Sequence, residues 1–146
     1  MCDIAGIMNL RNEGIAPDLL EGVNDAIAHR GQDNRGYVLI ERKGLDCWNP
    51  IPLSVLDQGI ESIPFTLGLG HRRLSIIDLS RPGHQPLGSQ DGNLWIVHNG
   101  ETYNYVEIHD QLQRKGYRFG SNTDTEVILK ACGERGEEFG SKFLFW

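Results

Sequence analysis

Short stretches rich in branched and aromatic apolar residues recur along the first two thirds of the chain and predict β-strands. The first lies at the chain start, where small and branched residues alternate from Cys2 to Met8. The other predicted strands are Gly36–Glu41, Thr66–His71, Leu74–Asp78 and Asn93–His98. The segment from Lys43 to Pro64 holds three of the six prolines and has weak periodicity, so we expect a loop with at most one strand, around Ser54.

Three other stretches have the period of amphipathic helices. The first is predicted to begin at Pro17–Asp18 and to end near His29–Gly31. Its predicted apolar face comprises Leu19, Leu20, Val23, Ala26 and Ile27. The other two begin with a cap residue followed three positions later by Glu, at Asn104–Glu107 and Thr123–Glu126, and we expect them to end at Gly116 and Gly133. Strands that come first, with helices flanking them, predict a layered α+β domain.

Composition narrows the class of protein. The chain has 146 residues, of which 39% are apolar and 23% charged, as expected for one folded domain over residues 1–146. No apolar run reaches the roughly 20 residues of a membrane helix, and the first residues lack the features of a secretory signal. A net charge of −6 with scattered Lys and Arg argues against nucleic-acid binding. We therefore expect a cytoplasmic protein with neither a membrane nor a nucleic-acid partner.

The cysteines favour neither a disulfide framework nor a zinc site. There are three of them, Cys2, Cys47 and Cys132, without a C-x-x-C spacing, and the five histidines show no ligand spacing either. We expect Cys47 and Cys132 to be partly buried thiols, and no metal site.

Cys2 is the best candidate for chemistry. Initiator Met is generally removed before a small residue, which would leave Cys2 as the first residue. Its α-amine, with an unperturbed pKa of about 7.7–8.0, could then act as a base for its own thiol. The alternative on position alone is a small residue near a frayed terminus.

Six motifs that follow one another along the chain support a catalytic role for Cys2. Together they resemble the glutaminase domain of class II glutamine amidotransferases, specifically that of glutamine-hydrolysing asparagine synthetases. They are Cys2–Ile7, His29–Asp33, Gly70–Asp78, Gly83–Leu87, Asn99–Tyr105 and Thr123–Leu129. The resemblance covers about residues 1–133. It implies a four-layer α/β/β/α sandwich of the N-terminal-nucleophile hydrolase type, and L-glutamine as substrate.

The resemblance also implies roles for individual residues. Cys2 is the nucleophile, and Asn99 and Gly100 form the oxyanion hole. Asn99–Gly100 alone is instead the signal of a type I′ hairpin turn. Residues in the substrate-binding positions are Arg73 for the α-carboxylate, Asp124 for the α-ammonium, Glu101, and the stretch Leu74, Ser75, Ile76 and Ile77.

Two of these residues have structural alternatives. Without the resemblance, Arg73 would be read as a structural or surface ion pair, and Asp124 as a favourable acid in the first turn of a helix. If Arg72 and Arg73 lie in a strand, their side chains point to opposite faces. We expect the binding arginine to be Arg73 and the segments around His71, His84 and His29–Gly31 to be structural.

The sequence departs from the family at several positions. Asp3, Gln32 and Thr102 replace the usual Gly, Pro and Ile, and Phe139–Trp146 only loosely follows the family's strand. We expect the domain to be incomplete at its C-terminal end, and the isolated chain to be marginally stable with weak activity.

The synthetase domain of the family, which uses ATP and Mg²⁺, has no counterpart here, so no cofactor is expected for this domain. A synthetase domain or subunit is an expected partner, and the resemblance is compatible with a homodimer. Two other interpretations stay open: a catalytically silent remnant that acts as a binding module, and the glutaminase domain of another class II amidotransferase.

Overall fold

The computed structural model describes residues 2–11, 13–42, 48–51, 65–73 and 84–136. The chain forms two compact units, Met1–Ser75 and Ile76–Trp146. Both contain strands and helices, which confirms a mixed α/β protein. The predicted strand Leu74–Asp78, the position around Ser54, Cys47 and the segment Phe139–Trp146 lie outside the described residues.

The first unit is built on an antiparallel sheet of four described strands. In chain order these are β1 (Asp3–Met8), β2 (Asn34–Arg42), β3 (Trp48–Ile51) and β4 (Leu67–Arg73). Their order across the sheet is β1-β4-β2-β3, so β4 pairs with β1 on one side and β2 on the other. The predicted strands at Cys2–Met8, Gly36–Glu41 and Thr66–His71 are confirmed.

Strand β3 corrects the prediction of a loop over Lys43–Pro64. It pairs with β2, with Pro50 opposite Ile40. Proline lacks the N–H that a central strand needs, but it is tolerated in a strand at the edge of a sheet. The prolines of this segment therefore hid a short edge strand.

Helix α1 (Pro17–Ala26) packs on one face of this sheet and is followed by a 3₁₀ turn, Ala28–Arg30. Its buried residues are Leu20 and Asn24. The prediction that Leu19 and Val23 belong to the buried face was wrong, since they are 54% and 39% exposed. The helix turns Leu20 and Asn24 towards Gly68 and Gly70 of β4, where missing side chains permit close approach. A Cβ at Gly68 would lie 2.7 Å from Leu20. The core of the unit comprises Ala5, Ile15, Leu20, Leu39 and Phe65.

The second unit combines a two-stranded sheet with two helices. Strands β5 (Leu87–Gly88) and β6 (Trp95–Ile96) pair antiparallel, so the predicted strand Asn93–His98 is confirmed in part. Helices α2 (Tyr105–Arg114) and α3 (Asp124–Arg135) pack together. Their shared core comprises Ile108, Leu112, Val127, Ile128 and Ala131.

The helix ends follow the predictions only in part. Gly116 has φ +95°, and the N–H of Tyr117 donates to the carbonyl of Leu112, which is the Schellman ending that glycine permits. Thr123 caps α3 by accepting a hydrogen bond from the N–H of Glu126. Asn104 makes no side-chain cap, contrary to prediction.

The predicted stop of α3 at Gly133 was also wrong. The helix continues to Arg135 and ends at Gly136, which has φ +58°. No helix in the described part of the chain is long and apolar enough to cross a membrane.

Candidate functional site

Cys2 and Arg73 lie at the same end of neighbouring strands. Asp3 of β1 pairs with Arg72 of β4, and Cys2 and Arg73 are the next residues outward on these two strands. On its other side Arg73 pairs with Asn34, and its carbonyl accepts a hydrogen bond from the N–H of Asp33. Cys2 is half-buried. The sheet thus brings together the predicted nucleophile and the predicted carboxylate-binding arginine.

Arg72 and Arg73 point to opposite faces of β4, as predicted. Arg72 is 9% exposed and faces α1, where its Nε–H donates to the carbonyl of Asn24 at 3.0 Å and its guanidinium pairs with Asp25. Strand alternation places half-buried Arg73 on the other face. The Arg72 side chain therefore links β4 to α1.

The His29–Gly31 segment lies against the same end of β4. A Cβ on Gly31 would come within 2.5 Å of the carbonyl carbon of Arg72 and 2.7 Å of the nitrogen of Arg73. Such distances leave no room for a side chain. Arg30 pairs with Asp3 at 3.2 Å, so the turn also holds the residue that follows Cys2.

In the second unit, the segment Asn99–Glu101 follows β6 as a bend. The hairpin turn lies earlier, between β5 and β6, where Gly92 has φ +73°. Gly100 is not among the described glycines with positive φ, so Asn99–Gly100 does not form the type I′ turn that its sequence alone suggests. The side chains of Asn99 and Glu101 are exposed, and Gly100 is half-buried.

Asp124 contacts the residues on both sides of this segment. Its Oδ2 accepts a hydrogen bond from the N–H of Thr102 at 3.1 Å and lies 3.7 Å from Nε2 of His98. Its Oδ1 accepts from the N–H of Thr125 at 2.7 Å. The second unit therefore brings Asp124 together with Asn99, Gly100 and Glu101.

The surroundings of Asp124 favour its charged form. Partial burial opposes ionisation, but the nearby His98 imidazole and hydrogen bonds from the N–H groups of Thr102 and Thr125 outweigh it and hold the pKa of Asp124 below its ordinary value of 3.8. A negative group at this position can receive an ammonium.

Sequence reasoning assigned no role to four residues that build this arrangement. They are Gln85, His98, Thr102 and Thr125. Gln85 belongs to the Gly83–Leu87 motif, which by itself assigns it no role. No periodic signal predicts such contacts, because they join positions 13 to 40 residues apart.

Not every predicted site residue is described. Leu74, Ser75, Ile76 and Ile77 lie outside the described residues, as does Met1. Cys132 is half-buried in α3, as predicted. Within the described ranges, no group of three or more His, Cys, Asp or Glu side chains could hold a metal ion.

Comparison with known proteins gives the family. The profile of a family described as "Glutamine amidotransferase domain" matches residues 57–144. An asparagine synthetase (glutamine-hydrolyzing) of Bacillus subtilis is 36% identical over 155 residues, which cover 100% of this chain and 21% of that protein. A glutamine–fructose-6-phosphate aminotransferase (isomerizing) of Thermus thermophilus is 35% identical over 139 residues, 92% of this chain and 22% of that protein.

The chain thus spans about a fifth of the length of these two relatives. The matched residues extend through both compact units. The names of both relatives describe enzymes that use glutamine. The chain belongs to the family of glutamine amidotransferase domains.

Proposed function

We propose that this domain hydrolyses L-glutamine to glutamate and ammonia, with Cys2 as an N-terminal nucleophile. The observation that carries the proposal is the placement of Cys2 and Arg73 at one end of adjacent strands, with Arg72 turned to the opposite face. In a chain of this family, that arrangement supports a thiol nucleophile and a substrate-binding guanidinium at the same end of the sheet.

Substrate binding follows from charge. The planar guanidinium of Arg73 offers two parallel donors to the α-carboxylate of glutamine. Asp124, held ionised by its hydrogen bonds, pairs with the α-ammonium. Glu101, at the end of the Asn99–Glu101 segment, adds an exposed carboxylate as a further acceptor. The residues at 74–77 complete the proposed substrate-binding set.

The proposed reaction is acyl transfer through a thioester. With Met1 removed, the α-amine of Cys2 takes the thiol proton, and the thiolate attacks the side-chain carbonyl carbon of glutamine. Asn99 donates from its side-chain amide and Gly100 from its main-chain N–H to the tetrahedral oxyanion. The amine returns the proton to the leaving nitrogen, which departs as ammonia. Water then attacks the γ-glutamyl thioester, releasing glutamate and restoring the thiol.

The ammonia has a proposed destination outside this chain. Likeness to asparagine synthetases over the whole chain supports delivery to a synthetase domain or subunit that makes asparagine from aspartate and ATP. The nearly equal identity to the aminotransferase of Thermus thermophilus favours a sugar phosphate as the alternative acceptor. We further propose residues 1–146 as the glutaminase part of such an enzyme, with the four-layer sandwich of N-terminal-nucleophile hydrolases.

Glutamate release from glutamine by the purified chain tests the proposal. Mass spectrometry should first show that the chain begins at Cys2. We expect hydrolysis by this form and none by a form that retains Met1, because an amide nitrogen cannot accept the thiol proton. Equal turnover by both forms would refute the mechanism. No turnover by either form would favour the silent binding module.

A further inference from the structure

Gln85 links the segment before the proposed oxyanion hole to helix α3. Its Oε1 accepts a hydrogen bond from the main-chain N–H of His98 at 2.5 Å, and its Nε2 donates to Oγ1 of Thr125 at 3.3 Å. Both ends of the amide are engaged, so the side chain is held in one orientation. His98 directly precedes Asn99, whose amide is a proposed oxyanion donor.

Asp124 closes the same network from the other side. Oγ1 of Thr125 lies 3.4 Å from Asp124 Oδ1, and Asp124 Oδ2 accepts from the N–H of Thr102. His98 and Thr102 flank the three residues Asn99–Glu101, and each of them is held by a hydrogen bond of its main-chain N–H. Thr102 and Thr125 are 2% and 5% exposed, so water competes weakly for these hydrogen bonds.

The three tethered residues are not part of a regular element in the described structure. Asn99 and Gly100 lie outside the described strands and helices, and the side chains of Asn99 and Glu101 are exposed. An oxyanion hole stabilises the transition state only if its donors are fixed before the reaction, and a displacement of about 1 Å can cost on the order of 100-fold in rate. Within the described residues, the contacts of His98 and Thr102 can supply this fixed geometry.

We infer that Gln85 is a positioning residue that, through His98 and Thr125, fixes the Asn99–Glu101 segment against Asp124. This inference rests on the proposed glutaminase function. Gln85 touches none of the reacting atoms. Its loss should lower kcat more than it raises KM, because the oxyanion donors act in the transition state. The substrate ammonium depends on Asp124, which keeps its contacts to Thr102 and Thr125.

The test compares Gln85→Met with Gln90→Met in the full chain. Methionine keeps the length of the side chain and removes both hydrogen bonds, while Gln90 is an exposed residue of the hairpin turn. Amide hydrogen exchange of His98 and Thr102 is measured alongside thermal unfolding and glutamate release. In Gln85→Met we expect exchange at the His98 amide to accelerate about tenfold, exchange at the Thr102 amide to stay near that of the parent chain, and kcat to fall about 10- to 100-fold. Gln90→Met should match the parent chain.

A second pair of variants guards against misfolding. Thr125→Ser keeps the hydroxyl that accepts from Gln85, whereas Thr125→Val removes it at nearly constant volume. We expect Thr125→Val to reproduce the exchange and rate effects of Gln85→Met, and Thr125→Ser to restore most of both.

The outcomes separate this inference from the proposed function. Unchanged amide exchange in Gln85→Met and Thr125→Val would overturn the inference, whatever the activity. Faster exchange with unchanged kcat would also overturn it, since the contacts would then be structural only. If the parent chain hydrolyses no glutamine, the proposed function and the catalytic part of the inference fail, while exchange still confirms or rejects the tether.

Discussion

The two compact units position their candidate residues by different means. In the first unit, the register of β1 and β4 brings Cys2 and Arg73 to the same end of the sheet. This pairing is made by main-chain groups and not by the side chains of the two residues. In the second unit, Asn99 and Asp124 are brought together by side chains that bond to main-chain groups.

The difference predicts which group of candidate residues is more sensitive to single substitutions. A sheet register is shared among many backbone hydrogen bonds, so one side chain can change without moving the strand. A side-chain network loses its geometry when one member is removed. We therefore expect substitutions in the first unit to separate chemistry from folding more cleanly than those in the second.

The largest effect should come from Cys2→Ala, because it removes the nucleophile while the register of β1 is carried by the backbone. We expect glutamate release to fall by at least about 1,000-fold, as for other covalent catalysts that lose their nucleophile. Thermal unfolding should stay close to that of the parent chain. Cys132→Ala is the control for a half-buried thiol in the other unit, and it should retain activity. Substantial turnover by Cys2→Ala would eliminate the proposed mechanism.

Adjacent arginines offer the sharpest test within the first unit. Arg73→Ala should raise KM for glutamine by about 10- to 100-fold, since it loses hydrogen bonds between charged groups. Arg73→Lys keeps the charge without the fork and should stay clearly impaired.

Arg72→Ala should instead lower the free energy of unfolding by about 1–3 kcal/mol, because the carbonyl of Asn24 loses its buried donor. Its KM should stay near that of the parent chain. Steady-state kinetics and denaturant unfolding of the three variants check this. A larger KM effect from Arg72→Ala than from Arg73→Ala would show that the two roles are reversed.

Gly31→Ala tests whether the turn after α1 holds the end of β4. The added methyl would meet the backbone of Arg72 and Arg73, which cannot move aside as a side chain would. We expect a loss of about 1–3 kcal/mol in unfolding free energy, together with weaker glutamine binding. Gly22→Ala is the matched control, because a Cβ at Gly22 has no neighbour within 4 Å. Equal stability of the two variants would mean that the close approach is easily relaxed.

The last prediction concerns the pH dependence of stability and Glu126. Burial opposes its ionisation, but donors at Gly120 and Ser121 outweigh this and hold its pKa below the ordinary value of 4.5. A lowered folded pKa gives stability that is complete above about pH 4.5 and is lost as the pH falls through the folded pKa. Glu126→Gln should therefore cost about 1–3 kcal/mol near pH 7, and progressively less below pH 4.5.

Denaturant unfolding between pH 3 and pH 7 measures this difference. Asp110→Asn is the control, since the Asp110 side chain is 57% exposed on α2. A difference between Glu126→Gln and the parent chain that does not shrink in acid would contradict the pKa assignment.

Local patterns predicted much of the fold. Alternating small and branched residues predicted β1. The two-residue period of a strand predicted opposite faces for Arg72 and Arg73, in agreement with the contacts of Arg72 with α1. Pro50 concealed β3, because proline is normally a sign against a strand. The prediction for Leu19 and Val23 was wrong because it rested on hydrophobicity alone. The buried face of α1 instead includes Asn24, for which Gly70 of β4 leaves room.

The candidate site was predictable only as a set of residues. The resemblance assigned Cys2, Arg73, Asn99, Gly100 and Asp124, yet nothing in their spacing indicates that Asp124 bonds to Thr102, 22 residues earlier. Gln85 shows the limit most clearly. Its two hydrogen bonds join segments that are distant in sequence, and glutamine has no pattern of its own that predicts such partners.

The central claim is that the thiol of Cys2 attacks glutamine. Intact mass measured after incubation with a diazo-ketone analogue of glutamine tests it directly, followed by peptide mapping. The account predicts one adduct per chain on Cys2, suppressed by excess glutamine and absent in Cys2→Ala. An unlabelled chain, or an adduct confined to Cys47 or Cys132, would contradict it.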